Sequence, residues 1–283
     1  MRRNLVISRV GANSLHPGWI DPNAERTWDL YLSPYQPIPD QGALDCQVGE
    51  VIAGPKWTGI RDVLASWDGW REYDHVWLPD DDIAATPDAI NAMFEVAEGA
   101  GLDLFAPALD EGSYYAHFIA MRNTSFFGRR VGFVEIMIPG FSRAGLERLA
   151  PTFAETETGW GWGLDSVWPK LLGYTDVGII DAVTVSHTRA VGVMRDEDLR
   201  RRVHEESDML LERYECRQEH VTFGAFGEDL QPLDLAPEAL LAGLVDGWDY
   251  LIERDPRVLW WIAEFQRRHS GGPEYPVAGT PES

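Results

Sequence analysis

The sequence predicts an α/β fold, in which a mixed, mostly parallel sheet is flanked by helices and followed by a helical C-terminal extension. Short apolar runs that suit buried strands alternate with amphipathic helical patterns over the first half of the chain. Such alternation implies parallel pairing, because each helix carries the chain back to the start of the next strand. The length of 283 residues and the apolar fraction of 45% suit one large domain of this class.

The first half of the chain supplies the alternation. Four apolar runs are predicted as strands, at residues 5–10, 28–32, 75–78 and 102–106. Residues 59–67 and 87–99 have the apolar spacing of helices, and the second begins with Pro87 after Thr86, a candidate N-cap. In a parallel sheet, ligands bind at the carboxyl ends of such strands.

The second half of the chain changes character. Further strands are predicted at residues 114–120, 132–137 and 177–185, and a helix is predicted at residues 166–172. After Arg195 the pattern is helical, over residues 196–214 and 237–253 and again after Asp255-Pro256. We therefore divide the chain into an α/β domain (1–194), a helical extension (195–269) and a Gly- and Pro-rich tail predicted to be disordered (270–283).

The chain is strongly acidic, with 46 Asp and Glu residues against 24 Lys and Arg residues and a formal net charge of −22. A nucleic-acid partner requires a basic face, so this charge argues against one, and an anionic ligand would have to be captured locally. Cys46 and Cys216 have no paired spacing and suggest neither a disulfide framework nor a zinc site. The first apolar run is too short for a signal peptide and no window approaches a membrane span, so we expect a cytoplasmic protein.

Three consecutive acids, Asp80, Asp81 and Asp82, follow the predicted strand at residues 75–78. Adjacent carboxylates repel one another unless a positive group neutralises them. A hard divalent cation that also holds a diphosphate would do so, since Mg²⁺ and Mn²⁺ accept oxygen ligands and share their shell with phosphates. The alternative is a solvated acidic turn. The position at the carboxyl end of a strand favours the metal site, with Asp80 and Asp82 on the same side and Asp81 facing away.

Two later segments could complete such a site. Residues 159–165 form a Gly- and Trp-rich loop that permits close backbone approach to a ligand and places Asp165 at the start of a helix. His187 ends a predicted strand, and two carboxylates plus an imidazole suit Mn²⁺ better than an all-oxygen magnesium site does. Each has a structural alternative: Asp165 or Ser166 as a helix N-cap, His187 as a satisfied or exposed histidine, and the nearby Glu135 as a polar position on an edge strand.

The ordered set of these segments resembles the uncharacterised family known in plants as lysine-ketoglutarate reductase trans-splicing related, whose folds are similar to glycosyltransferases of the GT-A (Rossmann-like) type. The resemblance covers about residues 3–192 and leaves the C-terminal helices unaccounted for. The plant label names no chemistry that we carry over. The matching segments are Lys56–Ile60, Tyr73–Asp82 with its DxD motif, Pro107–Leu109, His117, Gly132–Pro139 and Gly161–Asp165.

The resemblance to GT-A enzymes implies a metal-dependent glycosyltransferase, which moves a sugar from a UDP- or GDP-sugar donor to a hydroxyl of a glycan or small-molecule acceptor, by inversion. It implies that Asp82 binds Mn²⁺ or Mg²⁺ directly, that Asp80 contacts the ribose or the metal through water, and that His187 completes the metal shell. Asp165 becomes the candidate base, although related loops often carry two acids where this loop has one.

Other residues are assigned from the same expectation. Arg9 and Lys56 are the candidates for contacts with the donor, and either could be an ordinary surface charge. The candidates for the acceptor site are Trp160, Trp162, Glu135 and His117. Two alternatives stay open: another metal-dependent enzyme acting on nucleotides or phosphates, such as a nucleotidyltransferase or hydrolase, and a non-catalytic protein that binds a nucleotide sugar. The sequence leaves the oligomeric state open.

Overall fold

A computed structural model describes residues 2–42, 44–191, 194 and 196–269. The strands are β1 (Asn4–Val10), β2 (Trp28–Pro34), β3 (Gln47–Val48), β4 (His75–Trp77), β5 (Ile83–Ala84), β6 (Leu104–Leu109), β7 (Gly128–Val131), β8 (Gly140–Ser142), β9 (Val177–His187) and β10 (Thr222–Phe226). The helices are α1 (Lys56–Ser66), α2 (Pro87–Gly99), α3 (Arg143–Leu149), α4 (Leu164–Leu171), α5 (Glu197–Arg213), α6 (Pro237–Gly247), α7 (Asp249–Arg254) and α8 (Arg257–His269).

The strands form one mixed sheet in the order β10-β7-β9-β6-β8-β4-β1-β2-β3. In the described ranges, β7 and β8 run against the other seven strands of this path. The predicted α/β fold, with its mostly parallel sheet, flanking helices and helical C-terminal extension, is therefore confirmed. Because the parallel strands β1, β4 and β9 end at the same edge, the residues that follow them meet there.

The short strand β5 has a particular part in forming that edge. It pairs antiparallel with the end of β9, so that Ile83 lies opposite His187. This pairing brings the residue before Ile83, which is Asp82, beside a histidine more than a hundred positions away in the sequence.

The helix predicted at residues 87–99 is confirmed at both ends. Pro87 is its first residue, and the Thr86 side chain accepts a hydrogen bond of 3.1 Å from the amide of Ala89. A cap of this kind stabilises a helix by about 1 kcal/mol. Local signals alone define this element, which is why the sequence predicts it so well.

Two strands predicted in the middle of the chain, at residues 114–120 and 132–137, are wrong. Residues 118–120 form a short 3₁₀ turn, and the second segment is an irregular buried loop. That loop is fixed by backbone hydrogen bonds from Val134 to the Asp165 carbonyl (3.2 Å) and from Asp80 to the Met137 carbonyl (2.8 Å). Its residues are apolar because they are buried under neighbouring segments. A buried loop and a buried strand both give an apolar run in the sequence, so the pattern does not distinguish them.

The C-terminal part contains the expected helices and one strand that the sequence does not predict. Residues 237–253 form two helices that are interrupted at Trp248, whose buried indole donates to the carbonyl of Met121 at 3.0 Å. Strand β10 adds to the sheet by pairing with β7. The boundary between residues 194 and 195 stays a prediction, and residues 270–283 lie outside the described residues. None of the described helices is long and apolar enough to cross a membrane.

Candidate functional site

A pocket of about 260 Å³ opens at the edge where β1 and β4 end. It brings together the acidic triplet and both cations that the sequence predicts for the donor. The residues that line it are Arg9, Tyr35, Gly54, Pro55, Lys56, Asp80, Asp81 and Asp82.

Asp80 is paired with a lysine of the chain itself. Lys56 Nζ lies 2.7 Å from Asp80 Oδ1 and also donates to the carbonyls of Ile136 (2.7 Å) and Met137 (3.1 Å). These three contacts use all three N–H groups of the ammonium. Burial lowers the pKa of Lys56 and raises the pKa of Asp80, while the attraction between the two charges opposes both shifts. Lys56 therefore ties Asp80 to the 132–139 loop.

Asp82 and His187 form the second pair of the site. His187 Nε2 lies 3.2 Å from Asp82 Oδ2, and Nδ1 lies 2.7 Å from the carbonyl oxygen of Tyr114. Burial alone would lower the pKa of His187, but the hydrogen bonds to Asp82 and to the Tyr114 carbonyl, together with the charges of Asp82 and Asp80, outweigh it and raise that pKa. Burial likewise opposes ionisation of Asp82, but the hydrogen bond from His187 lowers the pKa of that carboxyl. The other oxygen, Asp82 Oδ1, is buried without a hydrogen-bond partner.

Asp81 has a different set of partners. Its Oδ2 accepts from the Tyr35 hydroxyl (3.0 Å) and from the Gly11 amide (3.2 Å), and its Oδ1 lies 3.0 Å from Nη1 of Arg189. Asp81 thus turns towards Tyr35 and Arg189, whereas Asp80 pairs with Lys56 and Asp82 pairs with His187. The sequence reasoning missed both Tyr35 and Arg189.

The residues present fit a divalent metal in part. Among the described residues there is no cluster of three or more His, Cys, Asp or Glu side chains that could hold a metal ion. Asp82 and His187 nevertheless suit one, because Asp82 has an unpartnered buried oxygen and the Tyr114 carbonyl accepts from Nδ1 of His187, so that Nε2 becomes the metal-binding nitrogen once it gives up the proton that it shares with Asp82. One or two protein ligands completed by phosphates are usual for Mg²⁺. Asp80 fits less well, since Lys56 occupies its Oδ1.

Asp165 is the second residue of α4, and it is buried, with 4% of its surface exposed. The N-cap of α4 is Gly163, so the alternative that Asp165 or Ser166 is the cap is wrong. Asp165 Oδ1 accepts from the Ser166 hydroxyl at 3.0 Å. Burial raises the pKa of Asp165 to about 7. A carboxyl with that pKa is suited to act as a general base near neutral pH.

Glu135 is a second buried carboxyl close to Asp165. It is 5% exposed, and its Oε2 has no hydrogen-bond partner. Burial, followed by the charges of Asp165 and Asp80, raises the pKa of Glu135 to about 8. Glu135 therefore interacts electrostatically with both the acidic triplet and the candidate base, and it lies on a loop and not on an edge strand.

The Gly- and Trp-rich loop is held from two sides. On one side, the amide of Trp57 donates to the Gly159 carbonyl at 3.1 Å, next to the pocket. On the other side, Glu206 of α5 holds the segment that comes directly before the loop. It accepts hydrogen bonds from the Thr156 hydroxyl (2.6 Å) and from both the amide and the hydroxyl of Thr158 (2.7 Å each). Glu206 is 4% exposed. The C-terminal helices thus position the loop that leads to Asp165, which sequence reasoning did not detect.

The four residues predicted for the acceptor do not all meet. Trp160 is 38% exposed, whereas Trp162 is half-buried with its ring edge-on to His204 at 4.9 Å between ring centroids. The His117 ring packs on Phe133 (4.6 Å) and burial lowers the pKa of His117 to about 4. It belongs to an aromatic cluster with His220 and is not among the residues that line the pocket.

Arg9 does line the pocket, but most of its hydrogen bonds are internal. Nη1 donates to the Ser33 hydroxyl at 2.8 Å, and Nη2 donates to the carbonyls of Ile52 and Gly54. Its Nε is buried without a partner. Burial lowers the pKa of Arg9. This guanidinium is therefore held inside the protein, with its unpartnered Nε facing Gly59 of α1, where an added Cβ would lie 2.3 Å away.

No family model matches the sequence, and no curated protein matches it. Among solved structures, the chain is similar to TarS 1–349 of S. aureus in complex with UDP, at 11% identity over 99% of this chain and 95% of that one, with a TM-score of 0.46. It is also similar to glucosyl-3-phosphoglycerate synthase from Mycobacterium tuberculosis in complex with Mn²⁺, UDP-glucose and phosphoglyceric acid, at 14% identity over 83% and 88% of the two chains, with a TM-score of 0.48.

The likeness to these structures is remote. The chain spans 59% of a further TarS 1–349 structure and 44% of the longer TarS structure. At such identities and TM-scores the likeness assigns no activity, so the side chains of the site must support any function. The resemblance to the plant family stays a prediction.

Proposed function

We propose that this protein is a metal-dependent glycosyltransferase, which transfers a sugar from a nucleoside-diphosphate sugar to an acceptor hydroxyl by inversion. The observation that carries the proposal is the arrangement at one sheet edge. Asp82, with its unpartnered oxygen, lies beside His187, and the buried Glu135 interacts electrostatically both with Asp80, which lines the pocket, and with the buried Asp165.

The donor half of the site is the pocket around the acidic triplet. Asp82 and His187 would hold a Mg²⁺ or Mn²⁺ ion together with the diphosphate, and the ion would stabilise the charge that develops on the leaving diphosphate. Arg9 lines this pocket and would act on the donor through its positive charge, since its hydrogen bonds are internal and its Nε is buried. Lys56 acts differently from our expectation, because all of its donors already hold Asp80 and the 132–139 loop.

The acceptor half contains Asp165, Glu135 and the exposed ring of Trp160. The oxygen of the acceptor hydroxyl forms a bond to the anomeric carbon while the bond from that carbon to the diphosphate breaks, and the electron pair leaves with the nucleoside diphosphate. Asp165 accepts the hydroxyl proton. A single base and a single displacement give inversion, since the acceptor attacks the face opposite the leaving group. Glu135 is placed to hydrogen-bond the acceptor through its unpartnered Oε2.

Calorimetry with UDP and GDP, each with and without Mn²⁺, tests the donor half. Wild-type protein should bind one of the two more tightly with Mn²⁺, and Asp82→Ala should abolish the metal-dependent part. Equal binding by the variant would refute the metal assignment.

Product analysis with the matching nucleotide sugar tests the reaction class. Release of nucleoside diphosphate that needs a sugar acceptor supports the transferase, and release without any acceptor indicates a hydrolase. Asp165→Asn should keep donor binding and lose transfer, whereas full activity would exclude Asp165 as the base.

A further inference from the structure

A diphosphate needs positive partners, and this protein has a net charge of −22. In the part of the chain that the structure describes, the cations that line or border the pocket are Arg9, Lys56 and Arg189. Lys56 has no N–H group left for a ligand. Arg9 is held against Ser33 and the 52–54 segment and has one unpartnered nitrogen. Neither can therefore supply the paired donors that suit a phosphate.

Arg189 differs from the other two in exposure and in the partners it has. Its side chain is 45% exposed. Nη1 lies 3.0 Å from Asp81 Oδ1, Nε lies 4.0 Å from Asp82 Oδ2, and Nη2 donates to the Asn13 carbonyl at 2.7 Å. Ion pairs with this much solvent contact are weak, so they exchange easily for a more highly charged partner.

Arg189 is also well positioned to contact a ligand that is held by Asp82 and His187. It lies two residues after His187, and Asp82 is within its reach. Any diphosphate held at Asp82 and His187 would lie within the same small region as this guanidinium. The planar guanidinium binds two phosphate oxygens at once, which an ammonium cannot do.

We propose that Arg189 is a diphosphate-binding residue of the donor site, which leaves its carboxylate partners Asp81 and Asp82 and binds the diphosphate when the nucleotide enters. This inference rests on the proposed function, since it names the cation that recognises the leaving group. This assignment gives Arg189 the phosphates and not the nucleoside, so its contribution should depend on the phosphates alone.

The test compares nucleotide binding by wild type, Arg189→Gln, Arg189→Lys and the control Arg201→Gln. Arg201 is an exposed arginine on α5 that pairs with Glu205 at 2.8 Å, far from the triplet in its contacts. Calorimetry uses UDP, GDP, the two corresponding nucleosides and inorganic pyrophosphate, all with Mg²⁺. Thermal unfolding of each variant establishes that it is folded.

We expect Arg189→Gln to weaken the binding of the preferred nucleoside diphosphate and of pyrophosphate by about 10- to 100-fold, which is the range for the loss of a charge-assisted contact. Binding of the nucleoside should not change. Arg189→Lys should lie between wild type and Arg189→Gln, because lysine keeps the charge without the paired donors. Arg201→Gln should bind like wild type.

The outcomes separate this inference from the proposed function. If wild type binds UDP or GDP and Arg189→Gln binds it equally well, the role of Arg189 is refuted and the glycosyltransferase proposal stands. An equal loss for the nucleoside also refutes it, because the effect would then not depend on phosphate. If wild type binds none of the probes, both proposals fail.

Discussion

The contact between Glu206 and the Gly- and Trp-rich loop gives the sharpest prediction for the C-terminal helices. We expect Glu206→Ala to loosen the loop that leads to Asp165 while leaving the pocket around Asp82 intact. The carboxylate accepts hydrogen bonds from Thr156 and from the amide and hydroxyl of Thr158. The two hydroxyls can turn to other acceptors, but the Thr158 amide cannot.

The size of the effect follows from these contacts. An amide left without a partner costs about 2 kcal/mol, and the loss of the one buried methylene group costs about 1 kcal/mol more. The free energy of unfolding should therefore fall by about 3 kcal/mol in Glu206→Ala. Glu206→Gln keeps the shape and one carbonyl oxygen, so it should lose only about 1 kcal/mol.

Urea unfolding followed by tryptophan fluorescence measures the stability, and hydrogen exchange of residues 156–162 measures the loop itself. The matched control is Glu205→Ala, which removes the neighbouring glutamate, whose ion-pair partner among the described residues is the exposed Arg201. It should leave both the urea midpoint and the exchange rates unchanged. The prediction fails if Glu206→Ala exchanges as slowly as wild type in this loop, or if Glu205→Ala has the same effect.

Three further predictions concern other parts of the molecule. Transfer should rise with pH through about 7, because Asp165 with a pKa of about 7 must be ionised to act as a base, and a pH–rate profile without this rise would count against it. Gly161→Ala should lower the free energy of unfolding, measured with urea, by at least about 2 kcal/mol, since Gly161 has φ +76° and a Cβ there would lie 2.2 Å from Trp57 Cδ1. Arg129→Met should lower the free energy of unfolding by about 3–5 kcal/mol in the same measurement. Arg129 and Asp181 form a fully buried ion pair at 2.8 Å, and the substitution leaves the Asp181 carboxylate without this partner. A loss under about 1 kcal/mol would be inconsistent with that reasoning.

The elements that the sequence predicts well are those with local signals. The helix after Thr86 has a cap, a proline and apolar spacing within one segment, and the structure begins it at the same residue. Residues 132–137 have no such signal. Their apolar character reflects burial in a loop that is hydrogen-bonded to the backbone of Asp165 and Asp80, and not pairing with a strand. Strand β10 is short and contains Gly224, so its place beside β7 depends on contacts that no local pattern encodes.

The same distinction applies to the site. Asp82 and His187 are detectable by residue type and by their positions after strands, and the structure places them 3.2 Å apart. The contacts of Arg189 with Asp81 and of Glu206 with Thr156 and Thr158 join residues 48 or more positions apart, and a charged residue after a strand or on a helix is common in any acidic protein. Only the fold distinguishes these two from the other charged residues of the chain.

The acidic triplet shows why the source of neutralising charge matters. Repulsion among three carboxylates suggested a metal, yet the chain itself gives each one a positive partner: Lys56 for Asp80, Arg189 for Asp81 and His187 for Asp82. Repulsion alone therefore does not require a metal, and the metal assignment depends on the unpartnered Oδ1 of Asp82.

This balance also sets what a nucleotide must do on binding. If Arg189 exchanges a carboxylate for a phosphate, the measured affinity reflects only the difference between the two contacts. Removal of Arg189 takes away the same difference and also leaves the negative charge of Asp81 without this nearby cation, so that Asp81 repels the incoming phosphates more strongly. The resulting loss for UDP should shrink when salt screens the half-exposed charges.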